Sequence, residues 1–205
     1  MSLAAFPTRA QRFGYAAALS LTCARLAFAI PLAAIAIGRG SGRLVAIILV
    51  LGFLSDIYDG VVARHFHVAT PGLRRLDSAV DTVFYLAATA CVWRLHPDAI
   101  VSHRWLIGVV IGTLLINHAF EYWKFGREAS YHAWSAKAWG AALFLSLVVL
   151  FIVGDDRFLT VALFLGVVSH VENFLITLML PVWDHDVRSV FVAAEKRKAV
   201  HAETP

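Results

Sequence analysis

Six long apolar runs dominate the chain, at about residues 13–38, 43–64, 76–95, 102–122, 136–154 and 158–181. Each approaches the roughly 20 residues that a helix needs to cross the hydrocarbon core of a bilayer. None alternates polar and apolar residues in the manner of a barrel strand. Backbone buried in lipid must satisfy its own hydrogen bonds, so runs of this kind predict transmembrane α-helices. "IGRGSGR", "LHPD" and "VGDDR" read as short turns between them, and the other two connectors are longer and more charged. The pattern predicts an all-α integral membrane bundle of six transmembrane helices. No repeat or shift of composition divides it, so residues 1–205 read as a single membrane domain. A short interfacial helix is expected in "MSLAAFPTRAQRF", with Leu3, Phe6 and Phe13 on its apolar side, and "EKRKAVHAETP" reads as a solvated tail.

Composition supports the membrane reading: 60% of the residues are apolar and 16% charged, more apolar surface than one small soluble core can bury. Arg9 and Arg12 precede the first run in the manner of a secretory signal. That run continues to Ile37 without a clear small-residue cleavage site, which favours a retained span. Cys23 and Cys91 fall inside predicted spans, where thiols serve as small packing groups. The nine histidines and two cysteines show no zinc-ligand spacing.

Charge then sets the expected orientation. Arg9 and Arg12, then Arg64, Arg74 and Arg75, then Lys124, Arg127 and Lys137, and finally Arg188, Lys196, Arg197 and Lys198 cluster on one side of the predicted spans. The opposite connectors hold Arg39, Arg43, Arg94, Arg104 and Arg157. By the positive-inside rule both termini are expected to be cytoplasmic, in a chain expected to lie in the cytoplasmic (inner) membrane. Trp93, Trp105, Trp123, Trp134 and Trp183 near the span ends fit an interfacial aromatic belt.

Against this apolar background, "SDIYDGVVARHFHVATPGLRRLDSAVD", residues 55–81, carries four aspartates. Asp56 and Asp59 are three residues apart at the end of the second run, and Asp77 and Asp81 are four apart at the start of the third. Each spacing puts its pair on one helix face. Two adjacent helices can bring all four together, an arrangement that needs positive charge, since one charge in hydrocarbon costs at least about 2.5–3.5 kcal/mol and neighbouring carboxylates repel. Oxygen ligands beside water favour a hard divalent cation such as Mg²⁺, Mn²⁺ or Ca²⁺ over zinc. The plain alternative is that the aspartates cap helices or pair with Arg64, Arg74 and Arg75. Gly60 and Ala63 leave room on the second helix for a bulky ligand, and Arg64 offers a planar donor to phosphate.

These residues resemble a known signature. Asp56, Asp59, Gly60, Ala63, Arg64, Asp77 and Asp81 match, in type and spacing, the D-x-x-D-G-x-x-A-R-x8-G-x3-D-x3-D pattern of the CDP-alcohol phosphatidyltransferases. The family's second glycine is Leu73 here, with Gly72 one place earlier, so the connector is expected to shift locally or to approach the nucleotide differently. Thr22, Arg25 and Pro31 are similar to a T-x-x-R and following proline of the family, and Lys137 to a lysine at the start of its fifth span.

The resemblance implies transfer of a substituted phosphate from a CDP-linked donor to an alcohol, with release of CMP. It implies two divalent cations, Mg²⁺ or Mn²⁺, held by Asp56, Asp59 and Asp77 with Asp81 sharing, and Asp81 as the base that takes the acceptor's proton. It also places Gly60, Ala63 and Arg64 along the CDP moiety. The expected partners are CDP-diacylglycerol, a small alcohol acceptor, membrane lipid and a second copy in a homodimer, with no role for nucleic acid. Other readings remain: CDP-choline or CDP-ethanolamine as donor with diacylglycerol as acceptor, a divalent-cation transporter, or a silent homologue serving in assembly.

The remaining polar residues in the spans admit two readings each. Arg25 either binds a phosphate or pairs with Glu172, and Lys137 with Arg74 and Arg75 either forms an anion pocket or only marks the cytoplasmic side. Asn117, His118 and Glu121, and Ser169, His170, Glu172 and Asn173, either tie helices together or complete an acceptor pocket.

Overall fold

Thr8, Ser41 and Thr70 each stand in extended backbone just before an apolar run, and each side chain accepts a hydrogen bond from a backbone N–H three residues on, at Gln11 (3.1 Å), Leu44 (3.3 Å) and Leu73 (3.2 Å). These N-caps start the first three helices. Pro71 follows its cap in the first turn, where its missing N–H is harmless. The computed structural model describes residues 7–38, 40–128, 131, 133–184 and 187–203. Among them the regular elements are all helices: α1 (Arg9–Ile37), α2 (Gly42–His65), α3 (Pro71–Leu95), α4 (Pro97–Phe125), α5 (Trp134–Val153), α6 (Arg157–Met179) and α7 (Val190–Glu203).

Six of these coincide with the six predicted runs and overshoot most of their ends by a few residues, because caps and polar first turns lie outside the apolar stretch. α1, α2, α4, α5 and α6 are long and apolar enough to cross a membrane. α3 has 25 residues, but Arg74, Arg75, Asp77, Asp81 and Arg94 keep it out of that set. Residues 9–13 open α1, so they form no separate interfacial helix, and Leu3 and Phe6 lie outside the described residues. The predicted tail begins inside α7, where Glu195, Arg197 and Lys198 are exposed. α7 is helical because its Val190, Val192 and Ala193 pack with Ile176 and Leu180, and Lys196 pairs with Asp184.

The chain divides into two compact units, whose described residues lie within 1–99 with 150–154 and within 100–149 with 155–205. In the first, α1 packs against both α2 and α3. Its buried residues Tyr15, Ala18, Thr22, Arg25, Ala29 and Leu32 recur at steps of three and four, the seam a helix presents to neighbours. A threonine and an arginine therefore sit in an otherwise apolar stripe. α2 and α3 meet closely at Gly52, where an added Cβ would fall 2.3 Å from the Phe84 ring. Cys91 donates to the Leu32 carbonyl (3.1 Å), the packing role expected of a thiol there.

In the second unit, polar side chains tie helices together. Asn117 Nδ2 donates to the His170 carbonyl (2.9 Å), Thr113 Oγ1 lies 2.8 Å from His170 Nδ1, and Lys124 Nζ donates to the Thr177 and Leu178 carbonyls at the end of α6 (2.7 and 3.0 Å). The Glu172 carboxylate accepts from the Val190 N–H (3.4 Å), joining α6 to the start of α7.

Candidate active site

The connector between α2 and α3 is short because the chain turns back at His67. That residue takes the left-handed conformation (φ 56°), uncommon for anything but glycine, and Val68 N–H donates to the Ala63 carbonyl (2.9 Å). Val68 is fully buried with Ala63, Leu73, Tyr15 and Ala18. The packed turn fixes the end of α2 against the start of α3.

The two aspartate pairs thereby face one centre, and α1 delivers a cation to it. Arg25 Nη1 lies 3.1 Å from Asp56 Oδ1 and 3.1 Å from Asp77 Oδ1, and also pairs with Asp81 Oδ1. Its Nη2 pairs with Asp59 Oδ2, and its Nε donates to Ser55 Oγ (3.4 Å). The arginine side chain is 1% exposed and that of Asp59 7%, against 32–40% for the other three aspartates. Thr22 Oγ1, one turn before Arg25, is within hydrogen-bond distance of Asp59 Oδ2 (3.2 Å) and of the Ala18 carbonyl (3.1 Å). The cage thus has a deep wall on α1 and α2 and an open side on α2 and α3.

One guanidinium against four carboxylates leaves the cage formally three charges negative. Such an excess of like charge calls for further cations. Asp56, Asp59 and Asp77 each offer an oxygen within 4.8 Å of the other two, a group able to hold a metal ion. The donors are all carboxylate oxygens, which suits a hard divalent cation. The donor set and its excess charge therefore fit a metal-binding role.

Other signature residues divide by exposure. Gly60 is partly open, and an added Cβ would lie 3.1 Å from Arg64 Nη1, so the exposed Arg64 side chain folds back over the glycine. Ala63 is 7% exposed and belongs to the cluster of Tyr15, Ala18, Val68 and Leu73, where its small size lets α1 approach. Leu73, at the position of the family's glycine, also fills this cluster, and its N–H is held by the Thr70 cap. α3 accommodates it without a break, and Gly72 beside it is exposed with open space around its α-carbon.

The family model of the CDP-alcohol phosphatidyltransferases matches residues 15–183. The chain belongs to this family. Neither a curated protein nor a solved structure matches it. The match begins at Tyr15 in α1 and runs past the end of α6, so the family's transferase region takes in the apolar helices and the four aspartates.

Arg25 is the residue whose place the sequence leaves undecided. Its guanidinium is committed to the aspartates, not to Glu172, which bonds α7. The available signal was its place, with Thr22, in the three–four seam of α1. Lys137 lies over the Trp134 ring at 4.8 Å, and Arg74 Nη2 donates to the Ala69 carbonyl (3.5 Å).

Proposed function

We propose that this CDP-alcohol phosphatidyltransferase moves a phosphatidyl group from CDP-diacylglycerol to a small alcohol and releases CMP, a step of phospholipid synthesis. The observation that carries the reading is the convergence of both aspartate pairs on one centre, with three negative charges to spare. Asp56, Asp59 and Asp77, with Asp81 sharing, would hold two divalent cations, Mg²⁺ or Mn²⁺. When bound, such ions neutralise the pyrophosphate and polarise the phosphorus under attack.

The chain's own groups do the rest. Asp81, on the open side, accepts the proton of the acceptor hydroxyl as its oxygen bonds to phosphorus, and the bond from phosphorus to the CMP oxygen breaks. Asp59 and Thr22, buried together, fix the deep wall. Gly60 and Arg64 form the surface along which CDP lies, and Ala63 supplies the tight packing beneath it. Basic residues flank the aspartate-rich connector, which supports a site at the cytoplasmic face of the inner membrane, with both termini on that side and six spans counting α3. The family match over α1 to α6 supports one catalytic domain through residues 1–205, and family likeness supports a homodimer.

The test is CMP release by the purified chain in detergent, with CDP-diacylglycerol, Mn²⁺ or Mg²⁺ and a panel of alcohols. A parallel arm supplies CDP-choline or CDP-ethanolamine with diacylglycerol. Metal-dependent release with CDP-diacylglycerol and one acceptor is expected. Release only in the parallel arm reverses donor and acceptor, and Mn²⁺ uptake into proteoliposomes with no CMP release in either arm sinks the enzymatic reading.

Gly60→Ala separates a nucleotide surface from a packing role. Alanine favours the helix by about 1 kcal/mol over glycine, and the tight neighbour, the far end of Arg64, can move. Thermal stability should hold or rise while CMP release falls at least about tenfold, the scale of a 1.4 kcal/mol clash with bound CDP. Unchanged kinetics would remove Gly60 from the CDP surface.

A further inference from the structure

α1 contributes to the acidic cage a group of the same sign as the ions it is read to bind. The Arg25 guanidinium is buried, is fixed at Nε by Ser55, and reaches one oxygen of each of four aspartates. Ser55 is itself held, donating to the Gly52 carbonyl (2.8 Å) where α2 meets Phe84. A buried guanidinium needs anions as much as the carboxylates need a cation. We propose that Arg25 is the resident counter-ion of the cage and that divalent cations bind there in competition with it for the same carboxylates. The inference rests on the metal-binding reading of the aspartates and concerns what the chain does before an ion arrives.

Two observations carry it. First, the atoms coincide: Asp56, Asp59 and Asp77, which come within 4.8 Å of one another at their ligand oxygens, are all ion-paired to Arg25. Coordination draws carboxylate oxygens to about 2.0–2.6 Å from an ion, and any cation entering there meets a fixed positive fork on the same groups. Second, the arginine stands in the packed seam of α1 between Thr22 and Ala29, so it is part of the folded helix interface and no chance visitor from a loop. Its charge holds the four carboxylates together while no ion is bound, and its removal leaves four mutually repelling groups whose best remaining partner is a divalent ion. Ion binding then becomes a larger share of folding free energy. Arg25 thus acts through the aspartates, as a residue that positions them and weakens their hold on metal.

The experiment measures Mn²⁺ alone, without substrate, on the full chain in detergent. The electron paramagnetic resonance signal of free Mn²⁺ gives the affinity, and thermal unfolding in EDTA and in Mn²⁺ gives the linked stability. Arg25→Gln is expected to bind Mn²⁺ at least about tenfold more tightly than the native chain. It should unfold at lower temperature in EDTA and gain more on adding Mn²⁺. Equal or weaker affinity overturns the proposal, because an arginine that merely braced the fold, or organised the ligands for metal, would not tighten binding when lost. Should Arg25→Gln fail to fold, Arg25→Lys carries the same reading. It keeps one charge but loses the planar fork, so binding several-fold tighter than native is expected and unchanged affinity overturns. Absence of Mn²⁺ binding in native chain and variants alike overturns the metal reading itself, an outcome distinct from equal affinities.

Discussion

Asp81→Asn is expected to lower CMP release at least about 10²-fold, the usual worth of a general base, while CDP-diacylglycerol binding stays within a few-fold of native. The substitution keeps size and shape but removes the ability to accept a proton. Asp81 lies toward the open side of the cage, about one third exposed, where an acceptor hydroxyl can reach it. Arg25 retains Asp56, Asp59 and Asp77 as partners, so the fold should persist, and unfolding temperature checks that directly. Titration with CDP-diacylglycerol in Mn²⁺, beside single-turnover CMP release, separates binding from chemistry. If donor binding and turnover vanish together, Asp81 serves chiefly to hold the donor's ions and another group must take the proton.

Asp59→Asn should have the larger reach, abolishing measurable turnover and weakening Mn²⁺ binding at least about tenfold. Asp59 is the most buried of the four, paired with Arg25 and close to the Thr22 hydroxyl. Asparagine replaces one of its oxygens by an NH₂ that cannot ligate a cation. Breaking a buried ion pair outright costs about 3–5 kcal/mol. Because Arg25 keeps three other aspartates, a loss nearer 1–3 kcal/mol is expected, the range for one buried hydrogen-bonding partner removed. Mn²⁺ titration and thermal unfolding of the two variants side by side give the contrast: turnover falls in both, but only Asp59→Asn should lose most of its metal affinity. Equal Mn²⁺ affinity for Asp59→Asn and the native chain would take Asp59 out of the metal site.

Thr22, Arg25 and the aspartates differ in how far the sequence alone could place them. Asp56 with Asp59, and Asp77 with Asp81, were legible as same-face pairs because a helix fixes the neighbours of each residue three and four positions away. The partner of Arg25 was not, since Asp77 and Asp81 lie 52 and 56 residues further along the chain. No local rule spans that distance, and Glu172 looked as good a partner on charge alone. α7 escaped for a related reason: Val190, Val192 and Ala193, just ahead of the basic stretch, have no visible partner until Ile176 and Leu180 are seen to pack with them. Leu73 looked like a break in the connector, yet it is a buried core residue once Tyr15 and Ala18 of α1 are brought alongside.

The sequence by itself determined six of the helices, their apolar length and the pairing of carboxylates within each of α2 and α3, because backbone hydrogen bonding and helical period are local. Only the tertiary structure decided that the two pairs meet, and that they meet around an arginine. The left-handed turn at His67, the contact of Gly52 with Phe84 and the packed seam of α1 set which faces oppose one another. That choice is made by packing between distant segments, which no spacing along the chain encodes.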